Sequence, residues 1–410
     1  MGGASTVSSA QRIEPAAEKV MAQKVSGAAS HGWTVRSKVM LSTGLRMMFH
    51  DRLKFLGTIF GVVFAVLICV QQLGILNGLL SKNTMFVDNA GADLWIVPPD
   101  TELLQTGPVL PESILYRAKV TPGVAIASPL VFAGASVQTP AGGREPVTLA
   151  GTDAPEFLGG PWNIVAGERA RLLSPETVFV EDSRRQALGG VNLGSVREIN
   201  GNRVVVGGFT WGLQPFGPPY AFAEIELARR LLNLPNRAFH FVLIRVDDRA
   251  SLARVQARLQ AQMVNCEVLS REQFSDRIAT TLLREQLGVS FGTSTSFGLL
   301  IGFVVVALAM FSSVLDNQRQ FGTLKAIGCS NFDLTLLVLM QSVAYAAIGS
   351  LAGLGAVTRI AAVARSPELA VIVPWQLLAF TPVVMVLVCL IASVLALSRV
   401  WRLEPGMVFR

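Results

Sequence analysis

Four long apolar runs whose cores carry no charge constrain this chain more than any other feature. They are "LGTIFGVVFAVLICVQQLGILNGLL" at 56–80, "FGLLIGFVVVALAMFSSVL" at 297–315, "FDLTLLVLMQSVAYAAIGSLAGLGAV" at 332–357, and the run at 377–398. A helix needs about 20 mostly apolar residues to cross a bilayer. Inside hydrocarbon only a helix or a closed barrel satisfies its own backbone. Composition agrees: the chain is 51% hydrophobic and 15% charged, against roughly 25% charged in soluble domains. The expected fold class is an α-helical membrane protein. It has four transmembrane helices, with a large mixed α/β domain at 81–296 between the first and second.

The net charge of +7 is concentrated at the N-terminus, where the first 55 residues hold eight Lys/Arg against three acids. A basic arm next to a span marks the cytoplasmic face, so the excess points to a membrane and not to nucleic acid. Residues 1–38, rich in Ala, Ser, Gly and charge, read as a disordered cytoplasmic tail. At 39–55 one row holds Leu41, Leu45, Phe49 and Leu53, and another holds Arg46, His50 and Lys54. Such an amphipathic helix is expected to lie along the inner membrane surface. The link at 316–331 carries Arg319 and Lys325, and the tail at 399–410 carries Arg399, Arg402 and Arg410. All of these share one face when the number of spans is even. Both termini are therefore expected in the cytoplasm, with 81–296 and the short loop 358–376 outside.

The 81–296 stretch reads as short strands and helices. "ADLWIVPP" and "EPVTLAGTD" are strand-like. The run from Glu176 to Thr210 reads as strand, short helix, strand, turn and strand, with the turn at Asn200-Gly201. "HFVLIRVDD" is a further strand, followed by a helix in "SLARVQARLQAQM". "REQFSDRIATTLLREQL" is helical and leads towards the second span. Trp211 and "PFGPPYAF" read as a buried aromatic beside a Pro-rich loop.

Several chemistries have no sequence support. There is no GxxxxGK[ST] loop for phosphates, no HExxH and no GxSxG. No Lys, Arg, Asp, Glu or His lies inside the four span cores, where ion-coupled carriers place them. Gln71, Gln72 and Gln341 read as hydrogen bonds between helices. His240, at the head of a strand, reads as a partly exposed structural histidine. Cys266 is the one cysteine of the polar middle and has no partner for a disulfide.

The link "RQFGTLKAIGCS" is more than a tight turn requires. Phe321, Leu324 and Ile327 recur every three residues along one side of a short helix. Arg319 and Lys325 supply polar anchors, and Gly328 sits where a C-cap glycine would. Three apolar residues on a water-facing turn are costly unless they dock into another protein.

"QRQFGTLKAIGCSNFDLTLLVLMQS" resembles the signature of the FtsX/MacB/LolC-type ABC permeases, in which "R-E-x-G-x-L-[KR]-A-[IM]-G" follows the second span. Gln320 stands here in place of the acid. The closing "RVWRLEPGMVFR" is similar to the family's basic-Leu-[DE]-Pro ending, through Leu403, Glu404 and Pro405. "LKAIG", "ADLWIV" and "EPGMVF" look most like DevC-type exporter permeases. The resemblance implies that Arg319, Phe321, Leu324, Lys325, Ile327 and Gly328 form a coupling helix against a separate ABC ATPase. That subunit would bind ATP and Mg, so this chain would be no enzyme and hold no cofactor. It further implies a permease homodimer in the bacterial inner membrane, an HlyD-type adaptor and an outer-membrane duct. The implied activity is export of an amphiphile by mechanotransmission. An FtsX-like regulator of a cell-wall hydrolase and a LolC-type lipoprotein-releasing permease are the alternatives. The large outer domain argues against the regulator.

Overall fold

The computed structural model describes Met48 and residues 52–104, 107–213, 217–316, 321–322, 325, 329–363 and 372–401. The tail at 1–38, most of the amphipathic segment at 39–55 and the Leu403-Glu404-Pro405 ending lie outside the described residues. The chain divides into two compact units. One holds residues to Val70, Ser296–Thr358 and Trp375–Arg410, and the other holds Gln71–Thr295 and Arg359–Pro374.

The first unit is helical. It draws on α1 (Arg52–Asn89), α6 (Gly288–Asp316), α7 (Asn331–Val363) and α8 (Trp375–Trp401). These four helices are long and apolar enough to cross a membrane. Each buries one stripe at helical spacing. On α6 the stripe is Gly298, Gly302, Val306, Met310 and Val314; on α8 it includes Thr381, Met385, Cys389 and Ser393. The opposite faces leave large side chains such as Phe60, Leu308, Leu351 and Leu387 exposed. Polar groups within the stripes bond locally: the Thr381 hydroxyl donates to Leu377 O at 2.7 Å, and Ser342 to Val338 O at 2.9 Å. Gln341 is buried as a residue bonding between helices should be, but Gln71 is exposed.

The second unit is built on ten strands. In chain order these are β1 (Leu94–Val97), β2 (Val124–Gln138), β3 (Arg144–Thr152), β4 (Ile164–Ala166), β5 (Thr177–Glu181), β6 (Val196–Ile199), β7 (Asn202–Thr210), β8 (Tyr220–Glu224), β9 (Phe241–Val246) and β10 (Glu267–Ser270). The sheet order is β10-β1-β9-β2-β3-β8-β5-β7-β4, and β6 bonds to both β2 and β7. β2, β3, β8, β5, β7 and β6 therefore close into a ring, from which β9, β1 and β10 extend. Pairing is antiparallel except β3 with β8 and β5 with β7.

Strand alternation sorts side chains onto two faces. Leu94, Ile96, Val242 and Ile244 join a core covered by α2 (Glu112–Val120), α3 (Ile225–Leu231) and α4 (Leu252–Gln262). Trp95, Val97, Phe241 and Leu243 join the opposite core, with Phe86 of α1 and Phe274 of α5 (Arg271–Leu282). A single π turn at Leu283–Leu287 carries the chain from α5 into α6. The Asn200-Gly201 turn has φ of 47° and 81°, as a two-residue hairpin of right-twisted strands requires.

Three readings are corrected here. His240 is fully buried, and its Nδ1 accepts from Phe132 N–H at 3.1 Å. Trp211 is 45% exposed, because the turn it occupies is held by backbone bonds and not by its ring. The short helix expected after β5 is a single 3-10 turn at Asp182–Arg184. Cys266 is a free, buried thiol, pushed up from its ordinary pKa by burial.

Candidate functional site

The link runs from the end of α6 to the start of α7, and both of its ends are pinned. At the first, Lys54 of α1 forms an ion pair with Asp316, which also accepts from Ser312 Oγ at 3.3 Å. At the second, Ser330 N-caps α7. Its backbone N–H and hydroxyl donate to Asp333 Oδ2 at 2.8 and 2.6 Å, and its Oγ accepts from Asp333 N–H at 3.3 Å. This reciprocal cap satisfies donors that the first helical turn leaves unpaired. It contributes about 0.5–2 kcal/mol and sets where the link becomes the third span.

Of the six residues expected to couple, Phe321 and Lys325 are described, both in helical backbone. Arg319, Leu324, Ile327 and Gly328 lie outside the described residues. Lys325 is half-exposed, but Phe321 is only 2% exposed. The expectation that the apolar row needs a partner to escape water therefore fails for Phe321. This chain already covers its ring, a contact that three-residue spacing alone does not reveal.

Above the link, α1 is held between two helices by small residues. Gly298 and Gly302 of α6 lie against Ile68 and Ala65, where an added Cβ would stand 2.6 and 2.5 Å from their side chains. Gly349 and Gly353 of α7 lie against Val62 and Val66 at 2.5 and 2.8 Å by the same measure. Both pairs are GxxxG, the spacing that lets helix backbones approach closely in lipid. The signal is present in "GLLIG" and "GSLAG". The reading of apolar runs missed it because it weighed only length and charge.

In the sheet unit, α1 ends in an aromatic cluster. Phe86 meets Phe132, Tyr220 and Trp162 edge-on, with ring centres 5.0, 5.2 and 5.7 Å away. One turn earlier Lys82 Nζ donates to Gly212 O at 2.8 Å. The backbone N–H groups of Gly212 and Leu213 donate to the buried carboxylate of Glu181 at 2.6 and 3.1 Å, and Thr210 Oγ1 donates to it at 3.1 Å. Burial raises the Glu181 pKa, and these donors oppose the shift.

Two family models match the chain. The MacB-like periplasmic core domain matches residues 55–262, just over half of the chain, and the FtsX-like permease C-terminal domain matches residues 293–405. The chain belongs to the MacB/FtsX-type ABC transporter permeases.

The permease is 27% identical over 135 residues to an uncharacterized ABC transporter permease protein of Mycobacterium tuberculosis. That match covers 32% of this chain and 15% of the relative's length. The extracellular domain of YknZ, a noncanonic ABC-type transporter from Gram-positive bacteria, is 14% identical with a TM-score of 0.33. It aligns over 44% of the permease and 99% of that domain. The periplasmic region of MacB from Actinobacillus actinomycetemcomitans is 12% identical with a TM-score of 0.34, over 49% of the permease and 99% of that region. The junction of the two family models falls near the π turn that joins the sheet unit to the second apolar helix of the permease.

Proposed function

We propose that this permease is the membrane subunit of an ATP-driven exporter whose motion begins at the link. A separate ABC ATPase, holding ATP and Mg, grips the link at 316–331 from the cytoplasm. Its closure moves α1 and α6, and the sheet unit then acts on an amphiphile (a lipid, glycolipid, peptide or drug-like molecule) outside the inner membrane. The observation that carries this reading is the continuity of α1. It is one helix of 38 residues, about 57 Å at 1.5 Å per residue. Lys54 anchors one end of it to the last residue of α6, and Phe86 sits near the other end among the sheet's aromatic rings. Among the described residues the buried stripes of the span cores hold hydroxyls, amides and small residues, which suits transmission better than conduction.

The family resemblance supports two copies of the permease on two ATPases. The DevC-like sequences support an HlyD-type adaptor and an outer-membrane duct. The basic residues of the first 55 positions and Lys325 support termini and link in the cytoplasm.

The test uses the native thiol of Cys329, within the link. Membrane-impermeant maleimide should label it in inverted vesicles and not in spheroplasts, and the reverse pattern would overturn the orientation. In proteoliposomes carrying the partner ATPase, Lys325→Glu should lower permease-stimulated ATP hydrolysis at least tenfold with insertion unchanged. Full stimulation in that variant would overturn the coupling role.

A further inference from the structure

The sheet unit contains a cavity of about 270 Å³ that none of the preceding roles uses. Asn83 of α1 lines one side, and Ile278 and Leu282 of α5 line another. Phe132 and Tyr220 form the sheet surface beneath, and Leu103 and Leu104 add an apolar rim. Thr148 and the Gly217-Pro218 pair complete the lining, so among the described residues no charged side chain lines the space.

Three features define what fits. The volume equals about nine water-sized groups at ~30 Å³ each, the scale of a medium alkyl chain. Apolar and uncharged polar surface share the lining almost evenly, so the space suits an occupant that is itself part apolar and part hydrogen-bonding. A full charge entering it would find no opposite charge among the lining residues. Tyr220 is only 4% exposed and lines the cavity, which places beside the space a phenol able to take a hydrogen-bonding partner. An occupant carrying one hydrogen-bonding group next to its apolar part would supply one.

We infer that this cavity takes one alkyl chain of an uncharged amphiphile. The chain lies on Phe132, Ile278 and Leu282, and its first polar group lies at Tyr220 and Thr148. The inference deepens the export reading by naming the apolar half of the substrate, and it rests on that reading only for what the occupant is for. The placement also gives the occupant a mechanical address. Asn83 of α1 lies beside Lys82, whose ammonium holds the 211–213 turn just before the Gly217-Pro218 rim. Moving α1 thus moves one wall of the cavity and tugs on its rim, while α5 supplies the facing wall.

The experiment uses the full chain in lipid nanodiscs with no ATPase present, so its outcome is independent of the coupling test. The probe is decyl glucoside bearing a terminal diazirine, photolysed and mapped by peptide mass spectrometry. Cross-links are expected at Leu103–Leu104 and at Ile278–Leu282. They should be saturable and competed by unlabelled decyl glucoside, whereas labelling of the exposed span faces should not be. Leu282→Trp and Thr148→Trp, each filling the space from a different wall, should lower the cavity cross-links at least tenfold and leave span labelling unchanged. Tyr220→Phe, which removes one hydroxyl, should weaken competition several-fold. Absence of saturable cross-links in the wild-type chain would overturn the inference even if a Trp variant fails to fold. Undiminished labelling in both Trp variants would do the same.

Discussion

Lys54 and Asp316, 262 positions apart, form an ion pair between the first turn of α1 and the last residue of α6. The side chains are 40% and 52% exposed, so solvent screens most of the attraction. Such pairs contribute about 0.2–1 kcal/mol. Asp316→Asn should therefore lower the unfolding temperature in nanodiscs only slightly, and the swap Lys54→Asp with Asp316→Lys should restore it. A loss of several kcal/mol on the single change would mean the pair is desolvated after all.

The glycines facing α1 should be far less tolerant. Gly302→Leu and Gly349→Leu push a side chain into Ala65 and Val62, and overpacking of this kind costs about 1–3 kcal/mol. Gly57 has nothing within 4 Å of an added Cβ. Gly57→Ala should be neutral or stabilising by up to ~1 kcal/mol, the helix-propensity gain. Thermal unfolding of the three variants side by side checks the contrast, and equal losses would refute the packing assignment.

Phe86 is fully buried and lies against five other aromatic rings, with ring centres 5.0 to 6.4 Å away. Phe86→Ala removes a large buried ring and should cost about 3–5 kcal/mol. The expected signature is earlier proteolysis of the sheet unit at temperatures where the wild-type chain resists. Unchanged protease resistance would show that α1 is not tied to the aromatic cluster there.

His240 makes the stability of the sheet unit depend on pH. Burial lowers its pKa below the ordinary value of 6.5. As pH falls through that value the unfolded chain takes up a proton that the folded chain refuses, so stability falls with it. Protonation of Nδ1 would also end its acceptance of the Phe132 N–H. The unfolding temperature should drop between pH 7.5 and 5.5, and His240→Asn, whose Oδ1 can accept the same bond, should flatten that slope. An identical slope in the variant would assign the acid sensitivity to other groups.

Much of this permease is legible in its sequence wherever the signal is local. The four spans follow from run length and absence of charge, because hydrocarbon admits nothing else. The Asn200-Gly201 hairpin follows from two residues that accept positive φ, and α4 and α5 follow from their patterns. The stretch at 124–138 resisted reading. Pro129 argues against a central strand, yet it pairs opposite Val242 within β2, the longest strand of the sheet.

What tertiary structure alone decided depends on partners distant in the chain. Closure of the ring by β6 on β2, the parallel pairings of β3 with β8 and β5 with β7, and the burial of Phe321 have no period to announce them. The same holds for the cavity beside Tyr220, whose walls come from helices almost 200 residues apart. Length, charge and alternation are properties of a segment, and so the amino-acid order specifies them directly. A buried ring or a cleft between elements is a property of surfaces meeting, and it exists only once the chain has folded.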